Sequence, residues 1–164
     1  MDAVDWPTIL SLLSTLALVG AVVFAALQVR QTNQQRKEQA AIELVRSMQS
    51  NEWISSVGPI SQLPAHGSAV LTESQADAAT ALALRIEAMG YLVYRGAVSI
   101  DLVDDLVGGM TRTAWDRLAP WVQKYRADSG NQKAFDWFQW LAERLAERTT
   151  SPTPAYEAHR DWRP

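Results

Sequence analysis

From Trp6 to Val29 the chain carries no charged residue, with Asp5 bounding the stretch on one side and Arg30 on the other. Twelve of these 24 residues are Leu, Ile, Val or Phe. As a helix the stretch would extend about 36 Å, against roughly 30 Å of bilayer hydrocarbon. The pattern predicts a transmembrane helix with Pro7 in its first turn, Trp6 at headgroup level, and Leu16, Gly20, Phe24 and Leu27 inside the span. The twelve large apolar residues would contribute about −4 to −7 kcal/mol of insertion free energy, before the cost of Ser11, Ser14 and Thr15. A cleaved secretory signal is the rival, but it needs a positive leader and an apolar core of about 7–15 residues. Here the leader holds Asp2 and Asp5 and no Lys or Arg. The other rival is a soluble bundle with this first helix buried.

The polar flanks set an orientation. No Lys or Arg precedes the span, whereas Arg30, Arg36, Lys37 and Arg46 follow it. Positive residues stay on the cytoplasmic side. The expected topology is an N-terminus outside and residues 30–164 in the cytoplasm, anchored in the inner membrane. Ser14, Ala17, Ala21 and Ala25 lie on one helix face, where small residues let two transmembrane backbones approach.

Beyond the span the pattern stays helical. Residues 28–39 are rich in Gln and Asn and free of Pro and Gly, so the anchor is expected to run on into water. Ala41, Leu44, Val45 and Met48 then form an apolar stripe at helical spacing. One long helix is predicted from about Pro7 to about Ser55. Gly58, Pro59, Pro64 and Gly67 predict a loop over residues 57–71. Thr72 and Gln75 form a capping-box signature, followed by a helix burying Ala79, Leu82, Ala83, Ile86, Met89, Gly90 and Val93. Gly90 costs about 1 kcal/mol relative to Ala in that position, which implies close contact with another helix. Gly96 is the expected stop. Ser99 caps a short helix ending at Gly108-Gly109. A further helix spans about Thr111–Ala127 with Trp115, Leu118, Val122 and Tyr125 inward, and Pro120 is expected to kink or split it. After a turn at Ser129-Gly130-Asn131, a last helix over about Gln132–Arg148 aligns Phe135, Phe138, Leu141, Ala142 and Leu145. Residues 149–164 read as a disordered tail.

The predicted architecture is therefore all-α: an N-terminal transmembrane anchor (1–29), a juxtamembrane amphipathic helix (30–56) continuing it as a long rod, a loop (57–71), a small cytoplasmic helical bundle (72–148) and a tail (149–164). The bundle is marginal in size for a self-sufficient core, so a partner or a second copy would help it.

Composition narrows the chemistry. The chain has 164 residues, 48% hydrophobic and 20% charged, with a formal net charge of −3. No basic field recruits nucleic acid, and the absence of cysteine removes thiol nucleophiles, cysteine-ligated metals and disulfides. Asp101, Asp104 and Asp105 offer oxygens but not the spacing of a calcium loop. They suit a helix N-terminus and a pairing with Arg95 or Arg112. Glu87 and Tyr91 lie one turn apart, an acid/base pairing in principle and more commonly a structural hydrogen bond. Neither His66 nor His159 has a metal-spaced neighbour, and no nucleophile elbow or phosphate-binding glycine loop occurs. No metal, cofactor or catalytic residue is expected. Seven tryptophans are many for this length, and Trp121, Trp137 and Trp140 are candidates for a partner surface.

The segments Leu84–Gly96, Asp101–Gly109 and Trp115–Trp121 resemble a bacterial family of small membrane-anchored proteins described only as a domain of unknown function. The resemblance covers most of residues 8–148 and extends to layout: one N-terminal span, a Gln-rich rod, then a helical domain. It brings no catalytic residue. The resulting expectation is a scaffold or accessory subunit of a membrane assembly, held by the lipid bilayer and self-associating or bound to a membrane protein. The alternative is a membrane-tethered enzyme or effector of phage or stress response built on Glu87, Tyr91, Asp104 and Asp105.

Overall fold

The computed structural model describes residues 6–148 and 155–163, with side chains placed from residue 18 onward except at 33, 34, 36 and 37. All regular structure among the described residues is helical. The elements are α1 (Trp6–Met48), α2 (Asn51–Ser61), α3 (Glu73–Tyr94), α4 (Ile100–Val103), a π-helical turn (Asp104–Gly108), α5 (Gly109–Ser129), α6 (Asp136–Ala146) and α7 (Ala155–Ala158). They divide into two compact units, Met1–Leu44 and Val45–Pro164.

The first unit is most of α1. From Leu18 to Val29 its large apolar side chains are all more than half exposed, from Val23 at 53% to Phe24 at 67%. Gly20, Ala21, Ala25 and Leu27 are exposed as well. Pro7, Ser14, Leu16 and Ala17 have side chains outside those described. Among the described residues no helix is long and apolar enough to cross a membrane.

In the second unit, α3 packs on α6 and α2, and α5 packs on α6 and α2. The sequence stripes explain the assembly: Ala79, Leu82, Ala83, Ile86 and Met89 of α3 are buried, as are Leu118 and Val122 of α5 and Phe138, Leu141, Ala142 and Leu145 of α6. The Thr72–Gln75 box forms reciprocally at 3.0 and 3.3 Å. Ser99 caps α4 through the Leu102 N–H at 3.1 Å. Gly96 and Gly130 take φ of 67° and 68°, the left-handed values that their turns require. Gly90 meets the backbone of Trp137: a Cβ placed there would lie 2.3 Å from its carbonyl oxygen.

Four expected boundaries are corrected. The long helix does not reach Ser55. It ends at Met48, because the Ser50 side chain accepts the Trp53 N–H at 3.2 Å and starts a new helix. The loop does not begin at residue 57, since α2 continues through Gly58 and Pro59 to Ser61. Burial of Trp53, Ser56 and Ile60 on one face outweighs the bond that Pro59 cannot make. Gly108-Gly109 does not stop the fourth helix: the chain passes through the π turn into α5. Pro120 does not split α5, which runs on past it with Leu118, Trp121 and Val122 buried on either side. Two smaller differences follow. Residues 132–135 are turn rather than helix, with Phe135 at φ 58°. Within the expected tail, α7 is helical, while residues 149–154 lie outside the described ones.

An Ala for Gly exchange inside a helix ordinarily gains about 1 kcal/mol. Gly90→Ala is expected instead to lose about 2 kcal/mol, because its methyl meets backbone rather than a yielding side chain. Urea unfolding measures the sign.

Candidate functional site

Helix α6 begins without a cap of its own. Phe135 sits in the left-handed region and offers no side-chain oxygen. The missing acceptor comes from α3: Glu87 Oε2 accepts the Phe138 N–H at 2.7 Å. Burial pushes the Glu87 carboxyl up from its ordinary value. The Phe138 and Trp137 amides oppose the rise, and the nearby Asp136 carboxyl adds to it. Tyr91, one turn further, does not join Glu87 in acid/base geometry. Its ring meets Trp137 edge-on at 5.7 Å.

That contact opens an aromatic cluster. Tyr94 lies 4.7 Å from Trp137 and 6.1 Å from Trp140, and the two tryptophans meet at 5.9 Å. Tyr94 is 60% exposed, and Leu84 and Leu92 of the same helix are also open to solvent. Trp137 and Trp140 are half-buried. Trp121, the third candidate for a partner surface, is corrected: it is buried, packed against Phe135 at 5.6 Å and Tyr125 at 5.8 Å. The expected inward Tyr125 is more exposed, at 41%.

Asp104 stands at the other end of α6. Its Oδ1 accepts from Arg112 at 2.9 Å, and the same Arg112 nitrogen donates to the Leu145 carbonyl at 3.0 Å. Arg148 Nε lies 3.4 Å from Asp104 Oδ2, and Arg148 also pairs with Asp101. Asp104 occupies the space above Gly108, where a Cβ would come within 2.1 Å of Oδ1. Asp105 is exposed. Glu87 and Tyr91 therefore sit by the start of α6 and Asp104 by its end, so the four carboxyl and phenol groups are not brought together. Among the described residues no three His, Asp or Glu side chains are placed to hold a metal ion.

Sequence reasoning anticipated the pairing of Arg112 with this acidic cluster but not its carbonyl contact, and it missed Arg117 and Arg126. Arg112, Arg117 and Arg126 of α5 each satisfy carbonyls of another element. Arg117 donates to Ile60 and Ser61 at the end of α2. Arg126 donates to Ala134 at 2.8 Å, to Phe135 at 3.3 Å and to Gln139 Oε1 at 2.7 Å, fixing the turn into α6. Their spacing carries no motif; the available signal was cationic residues at the margin of an amphipathic stripe. His66, at φ 64°, is tied to Asp116 through its backbone N–H and Nδ1, both at 3.2 Å. Those two hydrogen bonds hold the Asp116 carboxyl below its usual value. A cleft of about 170 Å³ between α2, α3 and α5 is lined by Ile60, Leu82, Met110 and Ala114, with Arg117 at its edge.

Against known proteins, the family described as a domain of unknown function, DUF4760, matches residues 15–145. The chain belongs to the DUF4760 family. No curated protein and no solved structure matches it. The DUF4760 match covers α2 to α5 and nearly all of α6, so both the Glu87 cap and the Asp104–Arg112 pair fall inside the domain.

Glu87→Ala is expected to destabilise the bundle by about 1–2 kcal/mol, as loss of a helix cap does, while Glu87→Gln keeps an acceptor and loses less. Because the folded carboxyl titrates above its ordinary value of 4.5, its contribution is full below that value. It fades as pH rises through the raised one. Denaturant midpoints across this range should fall with pH in the wild type and be flatter in Glu87→Gln.

Proposed function

We propose that this chain is a membrane-anchored helical protein that acts through protein contacts, as a scaffold or accessory subunit of an assembly in the cytoplasmic membrane of a bacterial cell. The observation that carries the reading is the row of exposed large apolar residues on α1, Leu18, Val19, Val22, Val23, Phe24, Leu27 and Val29. Water contact with so many neighbouring apolar side chains on one helix is unfavourable at about 25 cal/mol per Å². The sequence continues the same character back to Ile9. A lipid environment removes that cost and keeps the backbone bonded within the helix. The positive residues after Val29 favour residues 30–164 on the cytoplasmic side and the N-terminus outside.

The contact function draws on the bundle. Glu87, Arg112, Arg117 and Arg126 are engaged in capping helices and fixing turns, and the exposed surface includes aromatic and apolar side chains along α3. Such patches suit recognition of another protein. Self-association is part of the reading.

The full-length chain, made with phospholipid vesicles, is expected to float with them and to stay after an alkaline carbonate wash. Leu16→Lys combined with Phe24→Lys should move it to the aqueous fraction, since each central lysine costs about 3 kcal/mol of insertion. A wild-type chain that remains in the aqueous fraction would end the anchoring reading.

A further inference from the structure

Helix α3 has one face that the bundle leaves uncovered. Asp77, Ala81, Leu84, Ala88, Tyr91 and Arg95 recur every three or four residues and so share one line along the helix and its C-cap. Ile86 and Leu82 are buried on the opposite side. Leu84 is 57% and Tyr91 45% exposed. Asp77, Ala88 and Arg95 are exposed too, while Ala81 is half-buried. Among the described residues neither Asp77 nor Arg95 is part of an ion pair. The Trp137 ring braces Tyr91 from the side of α6.

This line is complementary to itself. We propose that the exposed face of α3 is the contact for a second copy of this chain, the two α3 helices packing antiparallel about a two-fold axis at the level of Ile86. In that register Asp77 faces Arg95 of the second copy, Ala81 faces Tyr91, and Leu84 faces Ala88. Every pair occurs twice, as an isologous contact demands. Each large side chain meets a small one, so the helices can approach to the usual 8–10 Å at a shallow crossing near 20°. Each charge at the ends of the line meets its opposite. A parallel pairing instead sets Asp77 on Asp77, Arg95 on Arg95 and Tyr91 on Tyr91, and the like charges exclude it. A lipid headgroup surface would not account for an acidic and a basic end on one apolar line.

The inference rests on the self-association proposed above and names its surface. From Asp77 to Arg95 the line is about 27 Å long, a small interface by the standards of stable dimers. Confinement of both chains to one bilayer would raise their effective concentration and let a weak contact act.

The charge arrangement supplies the test. The chain has no cysteine, so Gln123→Cys on the exposed side of α5 gives a single site for donor and acceptor dyes. Full-length chains in vesicles are compared by energy transfer at matched surface density. Asp77→Arg alone and Arg95→Asp alone should each weaken association about tenfold, because two attractive contacts become repulsive. A mixture of the two variants should restore transfer, since every facing pair is then opposite in charge. Equal transfer in all samples, or a mixture that restores nothing, overturns the α3 contact and points to α1, lipid or another protein. Absence of transfer in the wild type at any density removes self-association itself. Flotation of the same samples reads anchoring separately: chains that fail to float yet keep the charge pattern in detergent solution retain the α3 contact and lose the membrane reading.

Discussion

The backbone of Trp137 lies so close to Gly90 that no side chain fits between α3 and α6 at that level. The approach brings the uncapped start of α6 against α3 and lets Glu87 reach the Phe138 N–H. Four otherwise unbonded amides open every helix, and here a carboxylate from a neighbouring helix takes up the role that a Ser or Asp would normally play. The same approach brings Tyr91 edge-on and Tyr94 tilted against Trp137 and so creates the aromatic rim. Packing, capping and surface chemistry at this end of the bundle all follow from one missing Cβ.

The other end is organised by charge. Asp104 folds over Gly108 inside a π turn, and Arg112 joins it to the Leu145 carbonyl near the end of α6. The π turn is how α4 and α5 remain one path despite two adjacent glycines. Arg117 and Arg126 repeat the device on α2 and on the turn before α6. Helix α5 thus acts as a post from which three guanidinium groups bind the ends of neighbouring elements, each with several donors in fixed geometry. Hydrogen bonds from a charged donor to a carbonyl are stronger than neutral ones, which suits a bundle with a modest core.

Several of the bundle's carboxylates have structural partners. Glu87 is held by amides, Asp104 by arginines, and Asp116 by His66. Among the outward-facing groups are large apolar and aromatic ones: the α1 residues of the first unit, and Leu84, Tyr91, Leu92 and Tyr94 in the second.

The chain by itself determined that it is helical and marked most of the buried faces. Apolar spacing marked the cores of α3, α5 and α6, and Thr72, Ser99, Gly96 and Gly130 marked ends whose geometry depends on a single residue. The uncharged run from Trp6 to Val29 was equally plain, since length and charge are properties of the chain alone. Tertiary structure decided what local rules left open: that Pro59 and Pro120 are tolerated because burial on either side of them outweighs one lost bond each, and that Trp121 is interior while Leu84 is not. It also decided that Glu87 is a cap and that Arg112, Arg117 and Arg126 are clasps. Each of those roles needs a partner more than five residues away in sequence, and propensity, periodicity and capping signals carry no information at that range.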